Sequence, residues 1–322
     1  MEPVFLVVGC GSIGRRHLRN LRQLNAGKLL AWDPVEERLA AAVQDSGATP
    51  VRSLEAGLAG GLSACLICSP SAFHAEQAIT LAEGSALFIE KPLATTYEDA
   101  LAVVETVESR RRVCLVACNL RFHAGLVALK RSLDSGAIGR PLSIRNEFGF
   151  YLPDWHPWED YRSSYSARAD LGGGIVLDDS HDIDIVRWLC GDYEHFVARC
   201  GRVGDLEIEA EDIASLIGRT SRGVWCEIHM DYLQRVYSRS CKIIGTEGSL
   251  IWDYSAGHTV LLRPSTPAEV ICNFKSLDLN EMYLSQLRHF IRCLAGEEAP
   301  AQDARAAAEI VRIIKQFHLL KS

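Results

Sequence analysis

Lys91, in Glu90-Lys91-Pro92, and the pair Asp178 and His181 are the residues whose types and spacing suit proton chemistry. An ammonium can hydrogen-bond a hydroxyl or carbonyl oxygen and stabilise a developing alkoxide, and burial or a neighbouring cation lowers its pKa toward proton transfer. A histidine titrates near neutrality, and a nearby carboxylate makes it a serviceable proton acceptor. Asp178 and His181 are three apart and share one face if residues 175–190 form one helix, with Gly172 to Gly174 as the loop before it and Gly191 as its stop. Plainer readings stay open for each. Lys91 can be a solvated lysine beside a turn proline, and His181 an interior histidine. Asp178, Asp179 and Asp182 can be first-turn acids that suit the helix dipole.

The elements that must deliver Lys91 are legible around it. Residues 86–89 are an apolar run that reads as a buried strand, and Pro92 restricts the Lys91 backbone to extended conformations. Glu90 can orient the lysine or bind a ribose. The chain opens on another apolar run, residues 4–8, as expected for a parallel strand covered on both faces. It leads into Gly9-Cys10-Gly11-Ser12-Ile13-Gly14 and then a helical pattern, the context in which a GxGxxG cradles a dinucleotide. Gly9 permits the turn, Gly11 lets the backbone approach a pyrophosphate, Gly14 lets helix and strand pack closely, and the helix start at Ser12 and Ile13 offers N–H groups to phosphate. The strand at residues 28–32 ends at Asp33, whose carboxylate can accept from adenosine ribose hydroxyls and repel a 2'-phosphate, which favours NAD over NADP. Asp33 can equally cap the helix that starts near Pro34.

The pattern repeats. Residues 63–68 form a strand ending in Ser69-Pro70-Ser71 before a helix that contains His74, and residues 112–118 a strand ending near Asn119. Alternating strands and helices predict a doubly wound parallel sheet with ligands outside the carboxyl ends of its strands. Ser69, Pro70, His74, Glu90, Lys91 and Asn119 therefore join the cofactor candidates, and Arg121, two residues on, the substrate candidates.

A net charge of −7 argues against nucleic acid as a partner, and no apolar run approaches the length of a membrane span. The N-terminus carries no basic leader or cleavage site, so a signal peptide is not expected. The eleven cysteines are scattered through apolar segments. Cys65 and Cys68, at odd spacing in a strand, point to opposite faces, which spoils a metal or redox pair; buried free thiols in a reducing cytoplasm are expected, and no metal.

These motifs resemble the glucose-fructose oxidoreductase/inositol dehydrogenase family, Gfo/Idh/MocA. The resemblance rests on GCGSIGRRH, SPSAFH, Glu90-Lys91-Pro92, GAIGRP at 136–141, the glycines and D..H..D pattern of 172–184, and IIGTEGSL at 243–250. It implies an N-terminal Rossmann domain, here residues 1–120, and a C-terminal α/β domain, residues 121–322, whose open, mostly antiparallel sheet often makes oligomer contacts; a homodimer or homotetramer is expected. It also implies NAD(P)-dependent chemistry on a sugar, polyol or nucleotide-sugar. Lys91 then matches the family's catalytic lysine and His181 its catalytic histidine. Many members place the aspartate partner four residues before the histidine, where this sequence has Leu177; Asp178, three before, is the candidate here.

Residues 151–170 are dense in aromatics and arginines. Trp155, Trp158, Tyr161 and Tyr165 can stack on sugar faces, and Arg162 and Arg168 can hold a phosphate or carboxylate, or the segment can be an interface loop. Alternating segments across 196–254 suit an antiparallel sheet, and residues 280–294 and 304–320 read as amphipathic helices. The leading expectation is an NAD-dependent dehydrogenase or reductase in which Lys91 and His181 handle the proton. An enzyme that retains its NAD for internal redox cycling (an epimerase or glycosidase) and a non-catalytic NAD(H)-sensing subunit are the alternatives.

Overall fold

The computed structural model describes residues 2–155 and 157–319. The chain divides into two compact units, one running to Cys118 and taking back Tyr283–Arg312, the other holding Asn119–Met282 and the chain from Ile313.

The first unit alternates strand and helix: β1 (Val4–Val8), α1 (Ser12–Gln23), β2 (Lys28–Trp32), α2 (Glu36–Ser46), β3 (Thr49–Pro50), α3 (Leu54–Ala59), β4 (Ala64–Ile67), α4 (His74–Leu81), β5 (Ala86–Glu90), α5 (Tyr97–Ser109) and β6 (Cys114–Ala117). The strands form a parallel sheet in the order β3-β2-β1-β4-β5-β6. Leu6 and Val8 of β1 enter the core on one face of this sheet, and Phe5 and Val7 the core on the other, so the unbroken apolar run is a strand buried on both sides. Cys65 and Cys68 likewise fall in opposite cores, and all eleven cysteines are free thiols. The strand order reverses between β1 and β4, the position at which such sheets open a crevice at their carboxyl ends. β1, β4 and β5 are consecutive neighbours, so the glycine turn, Ser69-Pro70 and Glu90-Lys91-Pro92 leave adjacent strands at one edge.

The second unit contains α6 (Ala124–Asp134), β7 (Pro141–Gly149), α7 (Ile175–Asp178), α8 (Ser180–Cys190), β8 (Tyr193–Gly201), β9 (Ile213–Thr220), β10 (Trp225–Asp231), β11 (Ser238–Gly245), β12 (Ser249–Asp253), β13 (His258–Leu262) and β14 (Glu269–Asn273). After α9 (Asn280–Leu294) and α10 (Ala304–Ile314), β15 (Phe317–Leu319) completes a nine-stranded sheet in the order β14-β13-β12-β11-β7-β10-β9-β8-β15. It is antiparallel except where β7 meets β10 and β8 meets β15. In β10, Cys226, Ile228 and Met230 are buried while Trp225, Glu227 and His229 turn outward, the period-two pattern of a sheet covered on one side. α6 and α8 pack on this sheet, and its open face presents Val197, Ile217 and Trp225, each at least half exposed.

Three expectations need correction. The C-terminal helices do not stay with the second unit: Leu287 and Phe290 of α9 fill one core of the parallel sheet, and Ala304, Ala307, Ala308 and Val311 of α10 fill the other. Their amphipathic pattern announces helices but not which sheet their stripes will cover. The helix expected over 304–320 stops at Ile314, and β15 then pairs with β8, whose free edge it satisfies; Leu320 lies outside the described residues. The single helix expected over 175–190 is broken at Asp179, which has φ −106° and ψ 38°. Among the described residues no helix is long and apolar enough to cross a membrane.

Candidate active site

The glycine turn is built for close approach. Gly9 has φ +88°, and a Cβ there would meet the backbone of Ser69 at 2.6 Å. A Cβ on Gly14 would meet the Gly9 carbonyl oxygen at 1.9 Å, so only glycine lets α1 seat on β1. At Gly11 a Cβ would meet nothing within 4 Å, which leaves open space beside the backbone. Gly11 caps α1 without a side-chain bond, and the first turn, which begins with Ser12 and Ile13, holds no acid. These features fit a pyrophosphate approaching a helix start.

Asp33 is buried at the end of β2, where one carboxylate oxygen accepts from Cys10 N–H at 2.7 Å and the other from Val35 N–H at 2.8 Å. It therefore braces the glycine turn and ties its own bend; the N-cap of α2 is Val35. A carboxylate has about four lone-pair sites, so both oxygens retain capacity for ribose hydroxyls.

At the ends of β4 and β5, adjacent residues separate by face. Phe88 and Glu90 point the same way along β5, and His17 of α1 meets both: its ring packs on Phe88 at 5.0 Å, and its Nε2 lies 2.7 Å from Glu90 Oε1. Glu90 is thus held by a fully buried histidine that sequence reasoning passed over. Lys91 follows at the strand end, joined to Pro92 by a cis peptide bond. Ser69 Oγ donates to Gln77 Oε1 at 2.7 Å. His74, at the start of α4, is buried with Nδ1 2.7 Å from the Pro92 carbonyl oxygen and Nε2 2.8 Å from that of Ser69.

In the second unit, Asn119 opens a short 3-10 turn and is buried, its Oδ1 receiving no hydrogen bond among the described residues. Arg121 makes a two-pronged ion pair with Asp184 of α8, at 2.7 and 2.6 Å. Asp178, the last residue of α7, accepts from Ser166 Oγ at 2.6 Å and from the fully buried Tyr232 hydroxyl at 3.0 Å. Burial, and then the adjacent Asp178 carboxylate, push the Tyr232 phenol well above its ordinary pKa, so it stays a hydrogen-bond donor. His181, partly buried, stands second in α8, beyond the break.

The acids at the break have long-range partners. Asp179 turns its carboxylate to Arg239, at 2.5 Å, and Asp182 binds both Arg239 and Asn146. Burial works against the Arg239 cation, but Asp179 and Asp182 hold it charged, and Phe148 lies under it at 4.4 Å. Asp179 and Asp182 therefore answer one buried cation across the unit rather than only their own dipole.

The 151–170 segment is distributed. Trp155 packs into a run of rings with Phe148, Phe150 and Tyr232, and Tyr165 donates its hydroxyl to the Gly172 carbonyl at 2.8 Å. Trp158 is 78% exposed. Tyr161 accepts from Glu207 N–H, Arg162 pairs with Asp160 and Glu207, and Arg168 with Asp170. Tyr237 and Tyr254 extend the ring cluster, a feature that their isolated positions in the sequence did not suggest.

Residues 4–118 match the family model GFO_IDH_MocA, described as an oxidoreductase family with an NAD-binding Rossmann fold, and residues 126–251 match the GFO/IDH/MocA C-terminal domain. The scyllo-inositol 2-dehydrogenase (NAD(+)) of Bacillus subtilis (strain 168) is 28% identical over 314 residues, covering 91% of this chain and 86% of that protein. A levoglucosan dehydrogenase solved with NADH superposes with a TM-score of 0.87 at 21% identity, over 98% of this chain and 96% of that one. The WlbA dehydrogenase from Bordetella pertussis, in complex with NADH and UDP-GlcNAcA, superposes with a TM-score of 0.83 at 23% identity, over 98% and 94%. At these identities the two structures establish the likeness of fold.

Proposed function

The chain belongs to the GFO/IDH/MocA family of NAD-binding oxidoreductases, and on that premise we propose that it transfers a hydride between NAD and a carbinol or ketone carbon of a sugar, polyol or nucleotide-sugar. The observation that carries this reading is the shared edge of β1, β4 and β5, where the open backbone at Gly11 follows β1 and the lysine of Glu90-Lys91-Pro92 follows β5, with β4 and its Ser69-Pro70 turn between them. NAD, when bound, supplies the hydride acceptor. Asp33 receives the adenosine ribose, and Glu90, held by His17, receives a ribose hydroxyl or orients the lysine. Lys91 hydrogen-bonds the substrate oxygen and stabilises its alkoxide, and His181 takes the proton during oxidation and returns it during reduction. Asp178, fixed by Ser166 and Tyr232, supports the positive charge that His181 acquires. Asn119, Arg121, Trp155, Trp158, Arg162, Tyr165 and Arg168 remain the candidates for holding cofactor or substrate. One relative by fold was crystallised with NADH and UDP-GlcNAcA and another is a levoglucosan dehydrogenase crystallised with NADH, which supports a carbohydrate as the substrate class. The open sheet face supports a homo-oligomer.

The test is the absorbance of reduced nicotinamide with NAD against a panel of sugars, polyols and nucleotide-sugars, with Lys91→Ala beside the wild type. Reduction with one substrate class, abolished by the substitution, is the expected result. NAD that binds but never accumulates in reduced form, with the sugar altered by mass, would replace net dehydrogenation by internal redox cycling.

A further inference from the structure

His74 opens α4 at 1% exposure, and both of its ring nitrogens face backbone carbonyl oxygens, Pro92 at 2.7 Å and Ser69 at 2.8 Å. Carbonyl oxygens only accept, and a neutral imidazole carries a single N–H. A neutral ring in this pose would donate to one carbonyl and press a nitrogen lone pair against the lone pairs of the other. Rotating the ring by half a turn offers no escape, because C–H groups do not approach carbonyl oxygens this closely. Only the doubly protonated ring makes two hydrogen bonds here. We propose that His74 is a positioning residue for the reaction, carried as an imidazolium that clamps the Ser69 and Pro92 carbonyls and thereby fixes the strand end that presents Lys91.

Burial is the largest influence and, with the Lys91 ammonium, holds the ring's pKa below its ordinary value, while the two carbonyls and Glu90 favour the cation. These are the charged groups that act on it from the end of β5. On the side of α4, Gln77 is neutral and engaged with Ser69, and His17 of α1 lies behind Glu90. Against that direction stands the paired geometry, in which a neutral ring leaves both carbonyls to share one proton, and it is on this geometry that the proposal is built. The consequence is mechanical. β4 and β5 pair through Ile67 and Ile89, and beyond that last pairing the chain ends are joined by the His74 clamp. Glu90 is held from the α1 side by His17 and Pro92 from the α4 side by His74, so the backbone of Lys91 is fixed on both flanks.

This inference rests on the reading that Lys91 hydrogen-bonds the substrate oxygen and stabilises its alkoxide, but its first test does not depend on that reading. The full chain, saturated with NAD and labelled with nitrogen-15 in its ten histidines, would be examined at pH 7. The His74 ring would be assigned through correlations to its own backbone, so no variant need fold. Two protonated ring nitrogens are expected; one bare nitrogen would overturn the proposal. The second test is His74→Gln, which keeps a donor but not a pair of opposed ones. Its kcat is expected to fall by up to about 100-fold, as for displacement of a catalytic group by an ångström, with KM for NAD changing far less. An unchanged kcat would overturn the positioning role. Full activity in Lys91→Ala, beside a doubly protonated His74, would instead sink the proposed function and leave the clamp standing.

Discussion

Asp33 combines an architectural task with a proposed recognition task in one carboxylate. It binds Cys10 and Val35 through backbone N–H groups, and in the proposed function its charge opposes a 2'-phosphate. Asp33→Asn keeps one acceptor and removes the charge. Charge-assisted hydrogen bonds contribute about 1.5–3 kcal/mol, so KM for NAD should rise roughly 10–100-fold while NADP becomes a usable substitute. Steady-state rates with the two cofactors check this, and an unaltered preference would contradict it. Tyr232 is the corresponding support in the second unit. Tyr232→Phe leaves Ser166 on Asp178 and removes one hydrogen bond to a carboxylate, worth about 1.5–3 kcal/mol, so kcat should fall by up to roughly 10–100-fold with the fold intact by circular dichroism. Lys91 and Asp33 were visible in the sequence because each ends an apolar run that defines its own strand. His17 was not: it reaches Glu90 across 73 residues, and nothing local marks a histidine in an amphipathic helix as a carboxylate's partner.

Among the elements, the turn from β1 into α1 separates binding from folding. Gly14→Ala puts a methyl on the Gly9 carbonyl, so the helix must move and the melting temperature should drop by several degrees. Gly11→Ala meets open space, so the melting temperature without cofactor should hold while NAD affinity falls. Thermal melts with and without NAD distinguish the two; equal melting losses would mean that Gly11 serves only the fold. At the α7–α8 break, Arg239→Met strands two carboxylates in the interior and should cost about 3–5 kcal/mol, read from the denaturant midpoint. A loss below about 1 kcal/mol would show that the acids are solvated. This break was illegible in sequence, because Asp179 and Asp182 look the same whether they cap a helix or answer an arginine sixty or so residues away. The parallel sheet was legible because its strands are buried on both faces and read as unbroken apolar runs.

At the scale of the whole molecule, two units of different construction divide the proposed tasks. The first supplies the dinucleotide cradle and Lys91, the second supplies His181 and an open sheet face. On that face Val197 of β8 pairs with Ile217 of β9, and Trp225 lies on β10 beside them. A homo-oligomer through this face should dissociate when Ile217→Glu and Trp225→Glu are combined, seen as a fall in mass by light scattering; an unchanged multiple of the chain mass would place the contact elsewhere. The return of α9 and α10 to the first unit escaped the sequence because helical periodicity specifies a stripe, not the surface that covers it. In the proposed function Lys91 stabilises the substrate alkoxide beside a cofactor that other residues hold. The direct measurement is kcat and NAD affinity for Lys91→Met on the best substrate of the panel. The kcat is expected to fall about 100-fold or more while the NAD dissociation constant stays within a few fold. Retained kcat, or a loss that follows weakened NAD binding alone, would contradict that role of Lys91.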